Sequence, residues 1–194
     1  SVTIPDSVAE IGDSAFWGCS GLTSITIPDS VTEIGRMAFN GCSGLTSVTI
    51  SEGVTELKAG IFLDCSGLTS VTIPDNVTAI GDGAFEDCSG LTSVTIPDSV
   101  TDIGSKAFSG TGIKEPIVIN DGTVLCYIPA DTTSYIIPDT VKSIASAFND
   151  CIGLTSIVIP DSVTEIGDYA FNECSGLTSI TIPDSVTEIG DYAF

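Results

Sequence analysis

There is no histidine in this 194-residue chain. Serine and cysteine are plentiful, but nucleophilic catalysis needs a base beside the nucleophile, and the usual one is missing. No GxxxxGK[ST] phosphate loop and no dinucleotide fingerprint occurs. The carboxylates fall in repeating columns, so no two stand out as a glycosidase pair. These absences argue for a chain without catalytic machinery and without a cofactor. Basic residues are scarce as well: 5 Lys and Arg face 26 Asp and Glu, for a net charge of −21. Such a field repels nucleic acid and anionic membrane surfaces and attracts cations or basic protein patches. No apolar run approaches the roughly 18 residues of a membrane span, which excludes direct membrane insertion by such a segment. No signal peptide is visible at the N-terminus. There is one tryptophan, too few aromatics for a polysaccharide-holding surface.

Cysteine is present but wrongly placed for its usual uses. The count is seven, an odd number, and no CxxC pair exists. Six of the seven (Cys19, Cys42, Cys65, Cys88, Cys151 and Cys174) lie three residues after a phenylalanine. One thiol per repeat does not converge into a tetrahedral metal site. The column reads as buried thiols serving as small apolar side chains.

What the sequence does have is one phrase, repeated. Ile27-Pro28-Asp29-Ser30-Val31 returns as Ile4-Pro5-Asp6-Ser7-Val8, Ile73-Pro74-Asp75-Asn76-Val77, Ile96-Pro97-Asp98-Ser99-Val100, Ile159-Pro160-Asp161-Ser162-Val163 and Ile182-Pro183-Asp184-Ser185-Val186. Self-similarity at this period is the mark of a solenoid, because one such unit cannot bury its apolar face alone. Within a unit, Leu22, Ile25 and Ile27 alternate with Ser24 and Thr26, which predicts a short half-buried strand. Pro28 ends it, since proline has no N–H for the next rung. Val31 and Ile34 dip back into the core. The later stretch is clearest at Asp168-Tyr169-Ala170-Phe171-Asn172-Glu173-Cys174. Its Asp suits an N-cap, and Ala170, Phe171 and Cys174 share one helical face, which predicts a brief helical or 3-10 turn. The fold class expected is a repeat solenoid of the leucine-rich-repeat horseshoe kind. A parallel β-sheet lines the concave face and short helical turns the other.

The phrase Leu-x-x-Ile-x-Ile-Pro-Asp-Ser-Val-x-x-Ile-Gly-x-x-Ala-Phe-x-x-Cys-Ser-Gly resembles the treponemal, or BspA-like, class of leucine-rich repeats. Residues 1–110 and 137–194 carry the resemblance. It implies an extracellular or cell-surface, mostly bacterial protein that adheres to host matrix or neighbouring-cell proteins. The expected partner is therefore a protein. A passive stalk presenting another domain is the alternative. The chain starts and stops inside the repeat phrase, which reads as a fragment of a longer protein with its signal, anchor and caps elsewhere.

Departures from the pattern are the places to look for a site. After Phe108 the cysteine position becomes Thr111, and Asn120-Asp121-Gly122 lies between β-rich runs, a strong hairpin signal. The chain divides on this reading into a first repeat block, 1–116, a hairpin-like interruption, 117–137, and a second block, 138–194. Lys114 and Lys142 flank the interruption and Tyr127 and Tyr135 lie in it, a plausible contact chemistry in an acidic molecule. Equally, the hairpin is read as a cover over a register break. Trp17 and Leu63 occupy one column as a second contact candidate, against the plainer reading of isolated surface apolars. Ser47, Thr49, Ser70 and Thr72 belong to hydroxyl columns on the concave face, either a ligand surface or an ordinary solvated sheet. Asp and Glu recur in the Pro-Asp turn and again four residues later. A solvated acidic flank is the favoured reading, with weak calcium association as the alternative, although no calcium-loop motif is present.

Overall fold

The structure is a computed structural model and describes residues 2–194. It forms two compact units, Ser1–Ile113 and Lys114–Phe194. Both are parallel-strand solenoids, with eight phenylalanines marking the turns.

In the first unit the turns contribute short strands to two ladders. The alternating Ser-x-Thr segments pair in parallel as Val2–Thr3, Ile25–Thr26, Ser47–Thr49 and Ser70–Thr72. A second ladder runs beside it. Glu10–Ile11 pairs with Glu33–Ile34, and Glu56–Leu57 with Ala79–Ile80 and then Asp102–Ile103. These segments are only two residues long, too short for alternation to announce them. Between the ladders the turn is stapled to its predecessor: Ser30 Oγ donates to Val8 O at 2.7 Å and Ser51 Oγ to Val31 O at 2.7 Å.

The Ala-Phe stretch is not helical, and no helix occurs among the described residues. It is a chain of β-turns whose amides alternate in direction. Ala15 N–H bonds Gly12 O within its own turn and Phe16 N–H bonds Ala38 O one turn on. Trp17 N–H returns to Ser14 O and Gly18 N–H crosses to Asn40 O. Two positions four residues apart adopt positive φ, as Met37 (54°) with Gly41 (70°) and Gly60 (64°) with Asp64 (59°). A helix needs negative φ at every residue, so this alternation rules it out. The aspartate expected as an N-cap, Asp168, serves the neighbouring turn instead: its Oδ1 accepts Asp191 N–H at 2.7 Å.

In the second turn the apolar consensus positions are buried. Val31, Ile34, Ala38, Phe39, Cys42 and Leu45 are all fully buried. The phenylalanines stack: Phe16, Phe39, Phe62, Phe85 and Phe108 form one column with centroid spacings of 5.2, 5.4, 5.5 and 5.4 Å. Each stacked pair adds about 0.5–1.5 kcal/mol beyond its buried area. Turns approach closely where the next strand begins, and a Cβ on Gly44 would lie 2.3 Å from Ser20 O, so no larger residue fits there.

The second unit opens with the hairpin. Ile117–Ile119 pairs antiparallel with Val124–Tyr127, across a turn in which Asn120, Asp121 and Gly122 all have positive φ. Only this first strand departs from the solenoid. Val124 and Leu125 already pair in parallel with Ser143 and Ile144, and Ser134–Ile136 pairs with Ser156–Val158. The pairing thus restores the repeat at residue 124, inside the stretch 117–137. Leu125, Ile128 and Ile137 join the core with Phe148, Val163 and Phe171.

Candidate functional site

The outward face of the first ladder is built from residues that alternate with the core. Ser47 and Thr49 are exposed on either side of buried Val48, and they stand in register with Ser70 and Thr72. The adjacent threonines are spent on the scaffold. Thr46 Oγ1 donates to Thr23 O at 3.3 Å and Thr69 Oγ1 to Thr46 O at 3.1 Å. The side chains of Ser47, Thr49, Ser70 and Thr72 have no such partner among the described residues, so their hydroxyls face solvent.

The corresponding ladder of the second unit has a different character. Where the first unit has Thr49 and Thr72, this one has Ile136 and Val158, in register on neighbouring strands and 74% and 52% exposed. Two β-branched side chains side by side form an apolar patch beside the exposed Ser134 and Ser156. Val158 breaks the threonine line visibly in the sequence. Ile136 escapes notice there because its strand lies in the irregular segment.

The four residues expected around the interruption do not form one cluster. Lys114 is exposed and ion-paired with Asp131 at 3.0 Å, and this pairing lowers the carboxyl pKa. Lys142 is exposed, while its backbone is fixed by N–H to Thr123 O at 2.8 Å. Tyr135 is half-buried and packs edge-on against Phe148 with centroids 5.8 Å apart. Burial raises its phenol pKa. Tyr127 is only 7% exposed, because its strand has a partner on each side and contributes to the interior. It therefore drops out of any contact surface.

Trp17 is 69% exposed, but Asn40, in the turn between it and Leu63, is buried. Trp17 and half-buried Leu63 consequently make no continuous apolar patch. Leu63 and Met37 both border Gly60, each within 4 Å of where a Cβ there would stand.

A groove of about 450 Å³ opens on the second ladder of the first unit, lined by Arg36, Glu56, Lys58, Ala79, Asp82 and Asp102 among others. It exists because the acidic column of Glu33, Glu56 and Asp102 lapses to Ala79. Lys58, in a column of glycines, pairs with Glu33 across one turn, and that contact, helped by Glu56 and Asp13, raises its pKa.

The cysteines are structural. Cys42, Cys65 and Cys88 donate Sγ–H to the carbonyls of Phe16, Phe39 and Phe62 at 3.2, 3.1 and 3.1 Å. Burial pushes Cys42 up to about 11 and Cys88 and Cys151 up to about 12, leaving inert protonated thiols. Among the described residues no group of three or more His, Cys, Asp or Glu side chains is placed to hold a metal ion. Within each column the acids instead stand one per turn, as in the register Glu165↔Glu188. No described helix is long and apolar enough to cross a membrane.

Comparison with known proteins agrees with this architecture. The BspA type Leucine rich repeat region matches residues 1–114 and 125–194 in six copies. The Treponema pallidum leucine-rich repeat protein superposes with a TM-score of 0.63 at 27% identity, covering 98% of this chain and 85% of that one. A leucine-rich cell surface protein from Faecalibacterium prausnitzii gives 0.58 at 32% identity, covering 100% and 69%. A leucine-rich repeat protein from Bacteroides ovatus gives 0.57 at 27% identity, covering 97% and 68%. No curated protein matches the sequence. With the matched repeats spanning nearly its whole length, this chain belongs to the BspA-type leucine-rich repeat family.

Proposed function

We propose that the chain is the protein-binding repeat module of a bacterial surface or secreted protein, adhering to host or neighbouring-cell proteins. The observation that carries this is the exposed pair Ile136 and Val158. Apolar side chains displayed together on a rigid sheet face are the mark of a protein contact site. The exposed hydroxyls of Ser47, Thr49, Ser70 and Thr72 give the first unit a hydrogen-bonding face of its own, and Lys114, Lys142 and Trp17 are further exposed contact candidates. The family supports the reading, as does a relative named as a cell surface protein.

The test is binding of the immobilised chain to a panel of matrix proteins at physiological salt, with and without calcium. Ile136→Thr/Val158→Thr restores the residue of the other turns and should leave the melting temperature in place while abolishing capture. Capture that survives this variant and disappears with Thr49→Glu/Thr72→Glu would move the site to the hydroxyl face. Capture of nothing by the wild type would favour a stalk.

A further inference from the structure

Tyr169 and Tyr192 occupy equivalent places on neighbouring turns of the second unit. Their rings stack 5.4 Å apart, 14° from parallel. Both are exposed, at 36% and 69%. They belong to a column whose other members include Ser14, Met37, Gly60 and Gly83, all at positive φ. Tyr169 and Tyr192 hold φ of 56° and 53°, a conformation that bulky side chains adopt at a cost of order 1 kcal/mol. No packing in the core explains them, since the buried residues of these turns are Val163, Ile166, Ala170, Phe171 and Ala193. Neither hydroxyl has a hydrogen-bond partner among the described residues.

Four acidic residues lie on the same two turns, and Lys142 is on the turn before them. Asp168 and Asp191 immediately precede the two tyrosines, and Asp168 Oδ1 accepts Asp191 N–H at 2.7 Å. Glu165 and Glu188 pair in register three residues earlier, and all four acids are exposed. The only basic residues of this unit are Lys114 and Lys142. Two stacked, exposed phenol rings on turns that also carry four exposed carboxylates match one kind of group well. An arginine guanidinium lies flat on an aromatic face and is attracted to both the ring quadrupole and the nearby anions.

We propose that the Tyr169–Tyr192 platform, with Glu165, Asp168, Glu188 and Asp191, docks an arginine-bearing segment of a partner protein. The proposal borrows from the functional reading above only that the partner is a protein. It places the contact on a different surface, away from Ile136 and Val158.

The experiment measures binding of a fluorescent arginine-rich peptide, and of its lysine-for-arginine counterpart, at 150 mM NaCl. The chain is compared with Tyr169→Gly/Tyr192→Gly. This variant keeps the net charge and places at both positions the residue found at Gly60 and Gly83, so its melting temperature should match or exceed the wild type. The expected result is a loss of arginine-peptide affinity of about fivefold or more, with lysine-peptide affinity nearly unchanged. Tyr169→Phe/Tyr192→Phe, which keeps the faces, should bind as the wild type does. Equal arginine-peptide affinity for wild type and glycine variant would overturn the proposal, since the diffuse negative field alone would then account for binding. Should the glycine variant not fold, Tyr169→Asn/Tyr192→Asn serves the same comparison, because asparagine tolerates this conformation. Retained capture of a matrix protein by a chain that fails this test would leave the functional reading standing.

Discussion

The Sγ of Cys65 donates to the carbonyl oxygen of Phe39, one turn back, at 3.1 Å. The same oxygen already accepts the N–H of Cys42. A thiol therefore closes the hydrogen bonding of the turn beneath it, and the cysteine column is a seam between turns.

That seam predicts alkaline sensitivity. Burial raises the pKa of Cys42 and Cys174 to about 11 and of Cys88 and Cys151 to about 12, from an ordinary 9.0. The folded state prefers the protonated thiol. Its stabilisation is complete below pH 9 and is lost as pH rises through 11 and 12, by about 1.4 kcal/mol per pH unit for each thiol involved. Denaturant midpoints should be flat from pH 7 to 8.5 and fall steeply above pH 9.5, and a Cys88→Ala variant should fall less steeply. Thiol labelling at pH 8 should modify exposed Cys19 rapidly and the buried Cys42, Cys65, Cys88 and Cys151 only on unfolding.

The left-handed columns predict opposite outcomes for exchanges at equivalent positions. Glu173 has a φ of 60° where Gly41 has 70°. Glu173→Gly should stabilise the chain by several tenths of a kcal/mol, and Gly41→Ala should cost about 1 kcal/mol. Thermal denaturation of the two variants checks both signs. Destabilisation by Glu173→Gly would mean that its side chain makes contacts outweighing the backbone term.

The acidic ladder predicts a salt effect. Glu165 and Glu188 face each other directly on paired strands, and unit charges at such spacing repel by up to about 1 kcal/mol in water before screening. Glu165→Gln should raise the melting temperature in 10 mM salt and lose that advantage in 1 M NaCl. An advantage independent of salt would place its origin in packing rather than charge.

The strand with Ile25 and Ile27 was legible because alternation and Pro28 bracket it. The neighbouring ladder was not: Glu33 and Ile34 are a strand of two residues, and pairing one turn away creates it. The helix expected at Ala170, Phe171 and Cys174 failed for a related reason. A run of turns places the same three side chains inward. The distinguishing signal was scattered among Met37, Gly60, Gly83 and Tyr169, which share a backbone conformation and little else. Tyr127 was misjudged because its burial depends on the strands on either side. The groove at Ala79 and the apolar patch at Ile136 and Val158 were readable in principle, by aligning columns rather than scanning for motifs.

The amides that cross from Phe16 to Ala38, Phe39 to Ile61 and Phe62 to Ala84 each join a residue to one just over twenty positions on. Duplication of such a segment in the gene brings its own partners and displaces none, because the new turn offers the face that the old one required. Deletion of one does the reverse at equally little cost. A lineage carrying this coding repeat can thus vary the number of turns by slippage or unequal recombination while keeping the register, and selection can then act on a reach that varies in steps of one turn.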